Sequence, residues 1–187
     1  ELSDAGDFTV YDIASYSIFV TRNAAKELKG YYNACLHRGR QLKTGSGTAR
    51  EIKCPFHGFR WNLDGEFQGA PCQWDFPHVK PEEFSLPEVQ VDTWGGWVFI
   101  NMDENAESLH SYMGILPQHF ERWKPETTFK AMHIEKVIAC NWKIGWEAFI
   151  ESYHTVQTHP QILPYLGDSN SQYDIWGDNI SRTISPM

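Results

Sequence analysis

Two short segments, each with one cysteine and one histidine, constrain this chain more than any other feature. Cys35 and His37 form a C-x-H pair, and after sixteen intervening residues Cys54 and His57 form a C-x-x-H pair. Each pair lies next to strand-like runs, so each is expected on a loop between strands. Two sulfurs and two imidazoles supplied by two loops can converge on one metal centre.

Two kinds of metal centre take this set of ligands. Thiolate and imidazole both suit zinc, but zinc fingers usually pair Cys with Cys and His with His along the chain, whereas each loop here mixes the two. Mixed pairs are what a Rieske 2Fe-2S cluster requires, because two cysteines hold one iron and two histidines hold the other. The sequence favours the Rieske cluster, and a structural zinc site or unpaired core residues stay open as alternatives.

The motifs CLHRG and CPFHG resemble the two cluster loops in the large subunits of Rieske non-haem iron oxygenases, the ring-hydroxylating family. Gly39 and Gly58 suit positions where the backbone turns tightly beside a cluster. Neither loop has the additional cysteine that braces the cluster of respiratory-chain Rieske proteins. The resemblance implies a 2Fe-2S cluster with four ligands: Cys35, His37, Cys54 and His57.

The segment ESYHTVQTHP, residues 151–160, holds a second candidate site. His154 and His159 are five residues apart, which on an unbroken α-helix separates the side chains by about 140°. They can face one metal only if the helix ends or bulges between them, and Pro160 predicts that it has stopped near His159. On the residues alone, ordinary core or surface histidines remain an open interpretation.

The longer segment NWKIGWEAFIESYHTVQTH is similar to the part of this oxygenase family that supplies two histidines to a mononuclear Fe(II). The resemblance implies that His154 and His159 are metal ligands in a two-His-one-carboxylate site. It places the third ligand beyond residue 187, so three nearby carboxylates are not assigned to the iron: Asp168, Asp174 and Asp178. The remaining histidines are predicted to have core or surface roles: His78, His110, His119 and His133.

Glu151 stands three residues before His154, at a position where the resembling family usually has Asp. The resemblance implies that this carboxylate bridges a cluster histidine of one subunit and an iron histidine of the next, and carries the electron between them. On a helix the two residues would share a face. The sequence departs from the family at two positions, with Glu151 in place of the usual Asp and Ala148 in place of a common Asn. Glu147 matches the family and is interpreted as a structural residue.

The pattern of the sequence changes near residues 102–112. Up to about Asn101 it predicts short strands, FTVYDI, SYSIFVTR, KGYYNA, REIKCP, FRWNL and a last buried strand in WGGWVFIN, with a tight hairpin at Leu63–Glu66. Beyond it, SYMGILPQHFERW predicts an amphipathic helix, AMHIEKVIACNW a strand, and NWKIGWEAFIESYH a helix. Five side chains of that last helix are spaced for burial: Trp142, Trp146, Phe149, Ile150 and Tyr153.

The predicted fold class is α+β. The resemblance implies two domains, an antiparallel β Rieske domain over residues 1–110 and the start of a helix-grip (START-like) catalytic domain over residues 111–187. The chain begins at Glu1 without an initiator Met. We therefore expect it to be a segment of a longer polypeptide whose iron site is completed elsewhere.

Composition limits the possible partners and compartments. The net charge of −8, without a block of Lys or Arg interleaved with aromatics, makes nucleic acid a poor partner. No apolar run approaches the roughly 18 to 20 residues of a spanning helix, and no leader peptide opens the sequence, so neither membrane insertion nor secretion is predicted. Cys72 and Cys140 lie outside the motifs, and four cysteines in this arrangement fit a reducing cytoplasm better than a disulfide framework.

These patterns and the resemblance together predict the terminal oxygenase subunit of a Rieske system. Electrons would come from NAD(P)H through a reductase, a ferredoxin or both, enter the cluster, and pass through Glu151 to the Fe(II). The iron would activate O2 to hydroxylate or cis-dihydroxylate an organic substrate, which we expect to be aromatic. The resemblance also implies a homotrimer, with or without a small beta subunit. The alternatives are a Rieske ferredoxin without catalysis, and monooxygenase or demethylase chemistry at the same site.

Overall fold

The computed structural model describes residues 2–166 and 171–185. The chain divides into two units, the first ending at Glu107 and the second beginning at Ser108. Within the described ranges, no helix has the length and apolar character needed to cross a membrane. The α+β class is confirmed, because a strand-rich first unit is followed by a second unit that combines short helices with a hairpin.

The first unit consists of two antiparallel sheets. Its strands are β1 (Asp7–Ile13), β2 (Tyr16–Arg22), β3 (Leu28–Tyr32), β4 (Ser46–Thr48), β5 (Ile52–Lys53), β6 (Arg60–Trp61), β7 (Phe67–Gly69), β8 (Glu88–Trp94) and β9 (Trp97–Asn101). Six of them pair in the order β4-β1-β2-β3-β8-β9, and β5-β6-β7 form the second sheet. The predicted strand runs therefore all correspond to strands, although β4, β7 and β8 were not predicted.

The predicted hairpin at Leu63–Glu66 is confirmed. Gly65 adopts a φ of 76°, a left-handed conformation that glycine takes without a steric penalty. The turn is closed by a hydrogen bond of 3.0 Å from the Asn62 N–H to the Glu66 carbonyl. This connection folds β7 back onto β6 and so builds the small sheet that carries the second Cys/His loop.

One hydrophobic core joins strands β2 and β3 of the large sheet to the small sheet. Trp61 is fully buried, and its indole N–H donates to the Phe84 carbonyl at 2.6 Å, so burying this large ring leaves no polar atom unpaired. The core also contains both cysteines of the Cys/His motifs. Its buried members are Phe19, Tyr31, Cys35, Leu42, Ile52, Cys54, Phe59, Trp61, Phe67, Val79 and Leu86.

The prediction of a last buried strand near residues 94–101 is wrong in one respect. The strand exists as β9, but it forms the edge of the sheet, and Trp97 and Val98 are 68% and 40% exposed. Gly95 and Gly96 form the turn between β8 and β9, both with positive φ. An edge strand is paired on one side only, so an apolar sequence does not by itself bury it.

In its described residues, the second unit has four short α-helices, three single-turn 3-10 helices (Glu121–Trp123, Pro125–Thr127 and Pro160–Ile162) and one hairpin. The α-helices are α1 (Leu109–Met113), α2 (Leu116–Phe120), α3 (Trp142–Glu147) and α4 (Thr155–Thr158), and the hairpin is the antiparallel pair β10 (Gln172–Trp176) and β11 (Ile180–Ile184). The single amphipathic helix predicted over residues 111–123 is therefore wrong. Gly114 breaks it with a φ of 48°, and Pro117 in α2 has no N–H to continue a helical ladder from α1.

Two further predictions for this unit are wrong. Residues 131–142 form no strand, because among the described residues no other segment pairs with their backbone. The helix predicted over residues 141–154 is limited to α3, and four of its five supposedly buried side chains are exposed: Trp142, Trp146, Phe149 and Tyr153. Only Ile150 is partly buried. The apolar side chains do recur at helical spacing, but residues 150–152 bond to the hairpin instead of continuing the helix.

Candidate metal centres

The two Cys/His loops have the same backbone hydrogen bonds. In the first, the Cys35 N–H donates to the Arg40 carbonyl at 2.8 Å and the Gly39 N–H donates to the Cys35 carbonyl at 2.7 Å. In the second, the Cys54 N–H donates to the Phe59 carbonyl at 2.8 Å and the Gly58 N–H returns to the Cys54 carbonyl at 3.0 Å. In both loops the cysteine backbone is thus bonded to the fourth and fifth residues after it. This holds although the histidine is the second residue after the cysteine in one loop and the third in the other.

The glycines make this closure possible. Gly39 and Gly58 have φ values of 69° and 74°, where a side chain is strained. The second loop also connects two strands directly, since β5 ends at Lys53 and β6 begins at Arg60. The loop that carries Cys54 is therefore held at both ends by the small sheet.

Cys35 and Cys54 are buried, with 3% and 2% of their surface exposed, and each thiol influences the pKa of the other. Burial raises the pKa of the Cys35 thiol. Burial acts in the same direction on Cys54, but backbone N–H groups of His57 and Phe56, together with the Cys35 thiol, lower its pKa overall. The pair therefore favours a thiolate at Cys54, which is the form that binds metal.

His37 and His57 complete the group, with ring centroids 4.7 Å apart. The His37 ring stacks on Phe59 at 4.9 Å, and its buried Nδ1 has no hydrogen-bond partner. Burial, followed by the positive groups of His57 and Arg38, lowers the pKa of His37 and so keeps the imidazole neutral. A neutral ring with an unpaired buried nitrogen fits a metal ligand.

This donor set fits a 2Fe-2S cluster of the Rieske type. The two loops supply a pair of cysteines whose thiols influence each other and a pair of facing imidazoles, with the cysteines buried and His57 exposed. Within residues 2–166 and 171–185, no three or more His, Cys, Asp or Glu side chains are arranged around the position of a single metal ion. Two irons require two pairs of ligands rather than four ligands about one point.

His154 and His159 lie at opposite ends of α4, a single helical turn. His154 precedes the helix, and at His159 the backbone leaves it with φ −129° and ψ 51°, immediately before Pro160. The helix therefore ends at His159, as two histidines five residues apart require if both are to face one metal. The two rings have centroids 5.4 Å apart. Two imidazoles at this separation can offer their nitrogens to one metal ion.

Glu151 contacts His154 twice. Its carboxylate accepts the backbone N–H of His154 at 3.1 Å, and Oε1 contacts the ring nitrogen Nδ1. The contact with the ring, followed by the backbone bond, lowers the pKa of Glu151, so the group is a carboxylate at neutral pH. Glu151 lies outside any helix, contrary to the expectation, but the short loop still brings it to His154. Its bond to Nδ1 leaves Nε2 of the same ring for a metal.

Within the described residues, the structure assigns no Asp as a third metal ligand beside this pair of histidines. Asp174 is paired with Arg182, whose Nε donates to it at 2.9 Å, and Asp178 is exposed. Asp168 lies outside the described residues. Of the histidines predicted to have no ligand role, His119 packs edge-on against Trp176 with centroids 4.9 Å apart.

Two groups of supporting residues were not recognised from the sequence. Asn33, two residues before Cys35, makes four side-chain hydrogen bonds around the first loop. Tyr173 and Thr183, on the hairpin, bond to the segment that carries Glu151. An Asn at the end of an apolar strand was a usable signal for the first group. Nothing local marked the second, because its partners lie 21 and 33 residues away.

Sequence profiles of two protein families match the chain. The Rieske [2Fe-2S] domain matches residues 1–90, and the ring hydroxylating alpha subunit (catalytic domain) matches residues 118–185. The first match contains all four residues of the Cys/His loops, and the second contains Glu151 and both histidines of α4. The two regions with candidate metal ligands are therefore the two regions that resemble known domains.

Several characterised proteins are similar to most of the chain. The carnitine monooxygenase oxygenase subunit of Escherichia coli K12 is 33% identical over 168 residues, which are 86% of this chain and 44% of that protein. The glycine betaine monooxygenase oxygenase subunit of Pseudomonas aeruginosa PAO1 is 30% identical, over 89% of this chain and 39% of that protein. The biphenyl 2,3-dioxygenase alpha subunit of Rhodococcus jostii RHA1 is 28% identical, over 84% and 36%. The chain spans less than half the length of these relatives.

Solved structures give the same picture. A quaternary ammonium Rieske monooxygenase in complex with an inhibitor superposes with a TM-score of 0.87 at 25% identity, covering 97% of this chain and 53% of that one. Naphthalene 1,2-dioxygenase with indole in its active site superposes with a TM-score of 0.72 at 26% identity, covering 87% and 38%. Both similarities span the two units described above.

Proposed function

Because the chain belongs to the alpha subunits of the Rieske-type oxygenases, we propose that it serves in the oxygenase component of a monooxygenase acting on a quaternary ammonium compound. The relatives at 30% identity or more that are described above act on carnitine and glycine betaine, while the biphenyl dioxygenase subunit is less similar. The order of structural similarity agrees. Of the two chemistries expected from the sequence, monooxygenation is thus better supported than dihydroxylation of an aromatic ring.

The observation that carries the proposal is that one chain contains both the matched pair of loops and a pair of facing histidines. Cys35, Cys54, His37 and His57 would hold the cluster, which supplies one-electron transfer when bound. His154 and His159 would supply two of the ligands of a mononuclear Fe(II), whose chemistry when bound is O2 activation. A ferredoxin-type carrier would need only the first of these sites.

The residues of the chain have separate tasks in this scheme. The core buries both thiols and excludes water from them, while His57 remains at the surface where an electron can arrive or leave. Glu151 fixes the tautomer and orientation of His154 by accepting at Nδ1. Its carboxylate is also our candidate for the link between a cluster histidine of one subunit and the iron of its neighbour. That role, the homotrimer it requires and a small beta subunit remain predictions.

The electron donor is expected to be an acidic ferredoxin or reductase domain. Six of the 16 Lys and Arg residues but only one of the 24 acidic residues fall between Cys35 and Arg60, so this segment carries +5 on a chain of −8. Lys53 and Arg60 stand directly opposite each other at the base of the second loop. A basic surface around the point of electron entry favours an acidic partner, and the rate of cluster reduction should fall as ionic strength rises.

The proposal is tested on the full-length natural protein, purified anaerobically, with iron and zinc quantified on the same sample. A rhombic EPR signal of low average g after dithionite reduction, with about two cluster irons and one further iron per chain, is expected. Stoichiometric zinc and a silent spectrum would overturn the oxygenase assignment. O2 uptake supported by an electron donor should then be stimulated by carnitine or glycine betaine and not by biphenyl or naphthalene. The reverse preference would restore the aromatic substrate.

A further inference from the structure

The hairpin β10–β11 holds the segment that carries Glu151 at two points, one on each side. Tyr173 accepts the backbone N–H of Ser152 at 3.0 Å, and Thr183 donates its hydroxyl to the Ile150 carbonyl at 2.9 Å. Tyr173 and Thr183 are directly opposite each other in the strand pairing. Directly opposite residues of an antiparallel pair project from the same face of a sheet, so one face of the hairpin holds both peptides that flank Glu151.

The side chain of Ser152 also belongs to a chain of hydrogen-bonded hydroxyl groups. The Tyr173 oxygen lies 3.0 Å from Ser152 Oγ, which donates to Ser171 Oγ at 2.6 Å, and Ser171 contacts Ser185 Oγ at 2.8 Å. Because the Tyr173 oxygen already accepts from the Ser152 N–H, its own proton is available to Ser152 Oγ. Ser152 is only 6% exposed, so water does not replace these bonds easily.

We infer that Tyr173 and Thr183 are positioning residues, which orient Glu151 toward Nδ1 of His154 and so set the affinity of the histidine pair for its metal. The inference rests on the function proposed above. Neither residue contacts His154 in any hydrogen bond of the described chain, so the effect must pass through the backbone of residues 150–152 and the carboxylate of Glu151. A group that bonds directly to a metal ligand, as Glu151 does to His154, typically changes metal affinity by about 10- to 100-fold when removed. Residues that act through Glu151 can change it by at most that amount.

The test is a double-mutant cycle on Fe(II) affinity, measured by anaerobic titration of the full-length protein with Fe(II) alone. Tyr173→Phe, Glu151→Gln and the double variant are compared with the unaltered protein. If Tyr173 acts through Glu151, Glu151→Gln weakens Fe(II) binding about 10- to 100-fold, Tyr173→Phe weakens it measurably but by no more than Glu151→Gln, and the double variant is no weaker than Glu151→Gln. Additive losses would mean that Tyr173 is only a structural residue.

Two controls separate positioning from general damage. Thr183→Val removes the hydroxyl that holds Ile150 and should weaken Fe(II) binding, whereas Thr183→Ser keeps the hydroxyl and should retain it. Tyr165→Phe, at an exposed tyrosine of the same unit, should leave the affinity unchanged. The EPR signal of the reduced cluster should be the same in all variants. Equal Fe(II) affinity in Thr183→Val and Thr183→Ser would overturn the inference.

Failure of the inference differs from failure of the proposed function. Suppose that the unaltered protein shows the cluster signal and binds Fe(II), but the losses in the double-mutant cycle are additive. The proposed function then stands, and the positioning role is refuted. An unaltered protein that binds no Fe(II) outside its cluster loses both. In either case the experiment reads metal affinity and spectroscopy and does not depend on knowing the substrate.

Discussion

Backbone N–H groups at equivalent places in the two loops act to lower the thiol pKa of Cys35 and of Cys54. In each case these N–H groups belong to the second and third residues after the cysteine, His37 and Arg38 in the first loop and Phe56 and His57 in the second. The two sulfurs therefore have similar backbone surroundings. The histidines differ in position, because His37 is the second residue after its cysteine and His57 is the third. Such donors stabilise thiolate charge and, in a loaded cluster, influence its reduction potential.

The glycines of these loops should differ in their tolerance of alanine. Gly39→Ala meets nothing within 4 Å, so only the left-handed backbone opposes it, at a cost of about 1 kcal/mol. Gly58→Ala would also bring its methyl group to 3.1 Å from the Pro71 ring, which has little freedom to move, and should cost more and reduce cluster iron. Thermal unfolding and iron content of both variants check this.

A matched control for the glycines lies outside the loops. Gly177 has a φ of 58° and also meets nothing within 4 Å. Gly177→Ala should resemble Gly39→Ala in stability and leave the cluster iron untouched. If Gly58→Ala retained full cluster content and the stability of this control, the second loop would be more adaptable than its contacts indicate.

Asn33 should be one of the most sensitive polar residues of the first unit. It is 4% exposed, donates to Ser17 Oγ and the Lys43 carbonyl, and accepts the N–H groups of Leu42 and Lys43. Asn33→Ala leaves several of these buried groups unpaired, so we expect a loss of about 2–4 kcal/mol in the free energy of unfolding. Urea denaturation measures it, with the exposed Asn179→Ala as control, which should change little. A similar small loss at both positions would contradict the role given to Asn33.

The cluster loops were predictable because their chemistry is local. The types and order of Cys35, His37, Cys54 and His57 are set within a few residues, and the hairpin at Gly65 is likewise marked by its own sequence. Ligand identity and turn geometry both depend on neighbours along the chain, so a single sequence contains most of the information.

The second unit was predicted less well because its conformation depends on distant contacts. The periodicity of Trp142 and Trp146 indicated a long helix, yet residues 150–152 bond to Tyr173 and Thr183, far along the chain. Those long-range hydrogen bonds override local helix propensity, and no pattern around Glu151 reports them. The pairing of His154 with His159 was recoverable only because Pro160 indicates the end of the helix.

Asp7 should make stability depend on acid pH. Its carboxylate accepts the N–H of Asp4 at 2.9 Å and the hydroxyl of Thr48 at 2.8 Å, and these bonds lower its pKa from the ordinary 3.8. A lowered folded-state pKa adds stability that is present above the unfolded value and is lost as the pH falls through the folded value. Asp7→Asn should therefore be less stable than the unaltered protein at pH 6, and the difference should shrink below about pH 4.

Urea midpoints of both proteins across this range test the dependence on Asp7. Asp12→Asn, at an exposed position of the same strand, removes the same charge and is the matched control. A stability difference for Asp7→Asn that stayed constant from pH 6 down to strongly acid conditions would show that the amide loses shape complementarity and not the interactions of a charge.

His154→Ala should remove the mononuclear iron and leave the cluster in place. The two α4 histidines are 5.4 Å apart between ring centroids, and a site of two histidines and one carboxylate that loses one imidazole keeps too few protein ligands to hold Fe(II). Total iron should fall from about three to about two per chain, with an unchanged EPR signal after reduction. His159→Ala should behave in the same way, because it removes the other imidazole of the pair. His119→Ala, which removes a histidine packed against Trp176 in the same unit, should keep all the iron. Retention of the third iron in either α4 variant would show that this pair of histidines does not bind it, whereas loss of the EPR signal together with the iron would mean that the substitution damages the fold as a whole.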